Sequence, residues 1–198
     1  MRLLFQRSAV NRILRRSQRT LLTCALLALG YCGFVTFDSW NFQRTELREL
    51  DRGPSAGPPA VSQGSSLLPE AMVGRIEVRR LGLSAMVVEG TTTADLRRAA
   101  GHISGTGMPG FAGNVGIAAH RDTFFRPLRN VRKNDIITLT TSNAEYRYRV
   151  VSTKVVDPGD VSVLDASDGE VLTLVTCYPF YFVGSAPDRF IVRAERII

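Results

Sequence analysis

Side chains able to do covalent or metal chemistry are scarce in this 198-residue chain, which has three cysteines and two histidines. Cys24 and Cys32 fall inside one uncharged run, so Cys177 is the single thiol of the chain beyond it, and no disulfide framework can be built there. The G-x-S-x-G turn of serine hydrolases is missing, as are the H-E-x-x-H and C-x-x-C spacings of metal sites. His102 and His120 stand apart with no neighbouring cysteine, an arrangement that does not suit zinc. No metal and no cofactor are therefore expected.

A basic stripe is lacking too. The formal charge is +7, but six of the 25 basic residues lie in the first nineteen positions, leaving 19 against 18 acidic ones. A nearly neutral remainder argues against nucleic-acid binding, which needs cations gathered on the folded part.

The arginine-rich start gives way to Thr20 to Phe37, "TLLTCALLALGYCGFVTF", eighteen residues without a charge. At about 1.5 Å per residue this matches the thickness of a bilayer core. The basic residues before it and Asp38 after it predict a cytoplasmic N-terminus, with Trp40 and Phe42 as interfacial anchors. No small-residue cleavage pattern comes after the run, so an uncleaved signal anchor is expected rather than a removed signal peptide. The reading is a basic cytoplasmic tail over 1–19, a transmembrane anchor over 20–40 and an extracytoplasmic remainder. Within that remainder, 41–66 reads as a stalk passing into a Pro, Gly and Ser tether, and 67–198 as the folded domain.

That domain alternates like β-structure. "RIEVRRL", "SAMVVEG", "NVGIAAH", "DIITLTT", "EYRYRVVSTKVV", "EVLTLVTC" and "RFIVRAERII" are short, β-branched runs separated by turn residues. Short helices are predicted over 91–101 and 159–168. The expected fold class is all-β: a closed barrel of about eight strands with short helices, preceded by the transmembrane helix.

Two strands end on reactive groups. "NVGIAAH" ends on His120 and "EVLTLVTC" on Cys177. Taken singly, His120 reads as a rim histidine and Cys177 as a small buried hydrophobe. Together they supply a nucleophile and the base it needs. An oxyanion also needs a donor, and Arg189 and Arg193 are both placed to return beside the cysteine strand; their equal parity does not separate them. Asp122 is either a helper for the imidazole or an ordinary turn carboxylate.

"TLVTC", Thr173 to Cys177, is similar to the TLxTC signature of the sortases, membrane-anchored cysteine transpeptidases of bacterial envelopes. "GHISGTGMPGFAGNVGIAAHRDTFFRPL" resembles the family's histidine block and "SAPDRFIVRA" its arginine block, in the family's order, and the resemblance is strongest to class D and class E-like members. It implies that Cys177 is the nucleophile, His120 the general acid and base, and Arg189 the group that stabilises the oxyanion and holds substrate. By the same resemblance Thr176 offers its hydroxyl to the substrate backbone. The implied substrates are secreted or surface proteins with a C-terminal LPXTG-like sorting signal. The implied acceptor is an amine, a peptidoglycan precursor or a pilin lysine. Ala119 departs from the glycine that often precedes the histidine, and His102 is read as structural. An envelope cysteine peptidase that releases product to water and a non-catalytic scaffold are the rival readings. An L,D-transpeptidase lacks its expected residues before the cysteine.

Overall fold

In the computed structural model, the described residues are 2–52, 72–182 and 184–197. The tether over 53–66 and the expected domain start at Leu67 lie outside them. The chain divides into two compact units at Asn41/Phe42.

The first unit lies on a helix, α1 (Arg2–Arg52), which runs past the expected boundary at residue 40 without a break. Its stretch Leu14–Asp38 is long and apolar enough to cross a membrane. Leu21, Leu22, Leu26, Leu27 and Phe34 stand exposed around it, and Cys24 and Cys32 are exposed and free. The hydroxyls of Thr23 and Thr36 donate back to the carbonyls of Arg19 and Cys32 at 2.8 and 3.0 Å. Each hydroxyl is thereby satisfied within the helix itself.

The second unit is a closed eight-stranded barrel, as the strand runs predict. Its strands are β1 (Met72–Val78), β2 (Leu83–Glu89), β3 (Ala100–His102), β4 (Gly113–Ala118), β5 (Ile136–Thr140), β6 (Glu145–Val156), β7 (Glu170–Tyr178) and β8 (Asp188–Ile197). The order around the barrel is β1-β2-β3-β4-β7-β8-β6-β5. The pairs β2/β3 and β4/β7 are parallel and the other six antiparallel. Closure removes the open edges that a sheet of this size would leave unpaired.

Inward positions carry Ile76, Ile117, Leu139, Leu172, Leu174 and Val192, all fully buried. Each contributes roughly 1.5–3 kcal/mol relative to exposure. The barrel end near the start of β7 is closed by polar groups: Arg196 lies over the rings of Tyr146 and Tyr148, with its Nε 3.1 Å from Glu170, an ion pair not aligned as a hydrogen bond.

The helix expected over 91–101 is shorter, α2 (Thr93–Arg98), because a Thr92/Asp95 capping box starts it and the chain then turns extended into β3. Gly101 in β3 has no room for a side chain: a Cβ there would sit 2.1 Å from the carbonyl oxygen of Gly90. The helix expected over 159–168 is only a 3-10 turn, Val161–Leu164. Asn114 on β4 takes up the carbonyls of Val163 and Asp165 at 3.0 and 3.1 Å, which satisfies them outside any helical ladder.

Candidate active site

Parallel pairing of β4 with β7 builds the site. Ala118 lies opposite Val175, and the ladder runs one step further, since the Ala119 amide donates to the Val175 carbonyl at 3.2 Å. The next positions in that register are His120 and Cys177, so the two strand ends bring imidazole and thiol to the same level. On the other side of β7 the antiparallel ladder makes Cys177 and Arg189 direct partners. The order across this end of the barrel is therefore His120, Cys177, Arg189. Arg193 is placed four residues along β8, opposite Thr173, so register separates the two arginines that parity left equivalent.

Cys177 and Arg189 are half-buried and His120 is exposed. The Arg189 guanidinium donates to the carbonyls of Asp188 and Ala186 at 3.0 and 3.4 Å through Nη1. That leaves its other donors for an anion, which a planar guanidinium can meet with two at once.

Thr176 is 3% exposed, and its hydroxyl donates to the Ala119 carbonyl at 2.7 Å. The side chain faces the barrel side of β7, not the surface that carries Cys177, as alternation along a strand requires. Its hydroxyl is engaged within the fold. It bridges the strand that carries Cys177 to the residue before His120.

The turn after His120 is anchored by Phe125 and Leu128, both fully buried, and the Phe125 amide donates to the His120 carbonyl at 3.2 Å. Asp122 is exposed and lies 3.6 Å from the Arg121 guanidinium, so its partner is that cation and not the imidazole. His102 is a buried structural residue, with Nδ1 2.6 Å from Glu89 and Nε2 2.9 Å from the Gly107 carbonyl.

Arg121 is the residue sequence reasoning missed. It is 6% exposed, and its guanidinium donates to the carbonyls of Pro179, Phe182 and Gly184 at 2.9, 2.8 and 3.0 Å. These are positions in the connection between Cys177 and Arg189. One buried cation therefore ties the histidine turn to the loop that joins the other two residues, through charge-assisted bonds roughly twice as strong as neutral ones. The signal in the sequence was an arginine directly after the candidate histidine, which reads locally as an ordinary polar turn.

The aromatics after Cys177 divide. Phe180 packs on the core and meets Phe190 edge-to-face at 5.3 Å, while Tyr178 stacks on Phe190 at 6.2 Å. Tyr181 and Phe182 are exposed at 80% and 46%. The Arg129 guanidinium lies over the Tyr181 ring at 5.6 Å and that of Arg121 over Phe182 at 6.0 Å.

Comparison with known proteins identifies the family. The Sortase domain family model matches residues 76–197. Sortase D of Bacillus subtilis (strain 168) is 31% identical over 189 residues, which cover 89% of this chain and 96% of that protein. Sortase A of Listeria monocytogenes is 37% identical over 112 residues, 54% of this chain and 50% of that one. Among solved structures, a Clostridium perfringens Sortase D5 transpeptidase superposes with a TM-score of 0.58 at 31% identity, over 64% of this chain and 79% of that one. Listeria monocytogenes sortase A superposes with a TM-score of 0.59 at 32% identity, over 65% and 88%. The chain belongs to the sortase family of cysteine transpeptidases, which act on sorting signals.

Proposed function

We propose that this protein is a membrane-anchored sortase in which Cys177, His120 and Arg189 carry out the transfer. The observation that supports it most is the common level of the three residues across β4, β7 and β8. The Cys177 thiolate attacks the carbonyl carbon of the scissile bond in an LPXTG-like sorting signal, forming a C–S bond and placing the π pair on oxygen. The spare Arg189 donors meet that oxyanion. The C–N bond then breaks as protonated His120 gives its proton to the leaving amine. An incoming amine attacks the thioester, His120 takes its proton, and the C–S bond breaks to return Cys177. Thr176 holds Ala119, and with it His120, at the level of the thiol.

The acceptor in this reading is the amine of a peptidoglycan precursor or a pilin lysine. The apolar stretch of α1 anchors the chain in the cytoplasmic membrane with the arginine-rich end inside. Sorting-signal substrates are themselves held at a membrane, so tethering raises the effective concentration of each partner for the other.

The test uses the full chain in detergent micelles with a quenched LPXTG-type peptide library, with and without triglycine amide. Wild type is expected to cleave, and to form the ligated product only with the amine. Cys177→Ala, His120→Ala and Arg189→Ala are each expected to lose about a hundredfold or more in kcat/KM. Turnover surviving in Cys177→Ala would sink the proposal.

A further inference from the structure

Register across three strands lays out the outer surface below the thiol. Val156, Arg189 and Cys177 form one cross-strand row, Lys154, Ile191 and Val175 the next, and Ser152, Arg193 and Thr173 the third. Cross-strand partners point to the same face, and alternate residues of a strand share it. The intervening Phe190, Val192 and Ala194 face the core. A single surface therefore runs from the nucleophile down to Arg193, over about 13 Å at the usual strand rise.

The lower two rows are roofed by the 3-10 turn Val161–Leu164, and between roof and sheet lies a cavity of about 320 Å³. Its lining holds two cations, Lys154 and Arg193, and three hydroxyls, of Ser152, Ser162 and Thr173, with Ile191 as floor. No carboxylate lines it. Thr173 donates its hydroxyl to Asn114 at 2.7 Å, and Ser162 donates its own to Asp160 at 2.5 Å. Asp160 is the acidic group on the neighbouring turn; it is half-exposed and close enough for Lys154 to lower its pKa, behind the larger effect of Ser162. Among the described residues neither Lys154 nor Arg193 makes a hydrogen bond or ion pair. Two cations with one neighbouring carboxylate, which is taken up by Ser162, leave positive charge in a partly roofed cavity for a ligand that brings an anion.

We propose that this cavity binds a carboxylate side chain of the acyl donor, about four residues before the residue that acylates Cys177. The proposal rests on the catalytic reading above. With His120 on the β4 side serving the amine and Arg189 on the β8 side holding the oxyanion, the acyl chain is left to run along the sheet. Four extended residues span the distance from the thiol row to Arg193. Recognition then reaches one position beyond an LPXT-like core, to an Asp or Glu just before it.

The test compares fluorescein-labelled decapeptides with an LPXTG-type core preceded by Asp, Asn or Lys. Binding to the full chain as Cys177→Ala is read by anisotropy, which does not depend on turnover. The Asp peptide is expected to bind about tenfold tighter than the Asn peptide and tighter still than the Lys peptide. Arg193→Gln on that background should abolish the preference for Asp over Asn, and Arg193→Glu should turn it toward Lys. Equal Asp and Asn affinities, or a preference that survives Arg193→Gln, overturn the proposal. In turnover by the otherwise wild-type chain, the Asp preference is expected in acylation without any amine. If it appears instead only with an acidic acceptor during aminolysis, the carboxylate belongs to the acceptor and the donor assignment is wrong. If Asp-dependent binding is present and no peptide acylates Cys177, the catalytic reading fails and the cavity assignment stands.

Discussion

Thr176 and Ala119 are joined by a 2.7 Å hydrogen bond that ties the strand ending in Cys177 to the residue before His120. Neither residue meets solvent, since they are 3% and 5% exposed. The levels of thiol and imidazole are therefore linked by a bond buried within the fold. Thr176→Val, which keeps the shape and removes the hydroxyl, is expected to lower kcat about tenfold or more with KM little changed, because small misplacements of reacting groups are costly. Thr176→Ser should recover most of the rate. A melting-temperature loss with kcat intact would assign Thr176 to stability alone.

Arg121 is expected to control the loop over the site. Arg121→Gln removes up to three charge-assisted bonds to Pro179, Phe182 and Gly184 and leaves those carbonyls without their donor. The predicted result is faster amide hydrogen exchange across 179–186 and a rise in KM, with β1 and β2 unaffected. Exchange that stays unchanged in that loop would contradict the clamp.

Tyr148 makes a prediction for alkaline pH. Its hydroxyl is fully buried without a partner among the described residues, and its pKa is pushed up to about 12, by burial first and by the Glu170 charge second. A tyrosine raised above its unfolded value of about 10 stabilises the fold below pH 10, and that contribution is lost as pH rises toward 12. Tyr148→Phe should remove this part of the alkaline loss. At neutral pH the variant is expected to be neutral or stabilised by roughly 1 kcal/mol, since an unsatisfied buried hydroxyl is costly. Thermal melts of both proteins from pH 8 to 12 decide it.

Asp135 gives the opposite limb. Arg80 donates to it from Nε and Nη2, both at 2.5 Å, and this pairing, outweighing desolvation, holds the Asp135 carboxyl below the ordinary aspartate range. Stability from the pair is present above about pH 4 and is lost as pH falls through the lowered folded value. Asp135→Asn is expected to lower the melting temperature at neutral pH and to flatten its fall between pH 4 and 2. An unchanged acid limb would show that the pair contributes nothing.

His120 and Cys177 stood out in the sequence because each closes a strand-like run. Alternation carried "NVGIAAH" and "EVLTLVTC" to the barrel rim, and the residue types named the chemistry. Register was not legible, because the parallel pairing of β4 with β7 joins segments more than fifty residues apart. The resemblance pointed to Arg189 while parity left it equivalent to Arg193, and the β7/β8 ladder puts Arg189 opposite Cys177 and Arg193 opposite Thr173, in the cavity. β3 was hidden by its three-residue length. The helical pattern over 159–168 was overridden by Asn114, which draws off two of the carbonyls a helix would need. The resemblance gave Thr176 a place beside substrate, and what it could not carry is the hydroxyl's bond to Ala119 across the strand.

The central claim is that an acyl group passes through Cys177, and intact-mass spectrometry of the full chain in micelles tests it most directly. With an LPXTG-type peptide and no amine, wild type is predicted to gain the mass of the acyl fragment, mapped by digestion to Cys177, and to lose it on adding triglycine amide as the ligated peptide appears. Cys177→Ala should show no adduct. An adduct on any other residue, or ligated product formed by Cys177→Ala, would contradict the account.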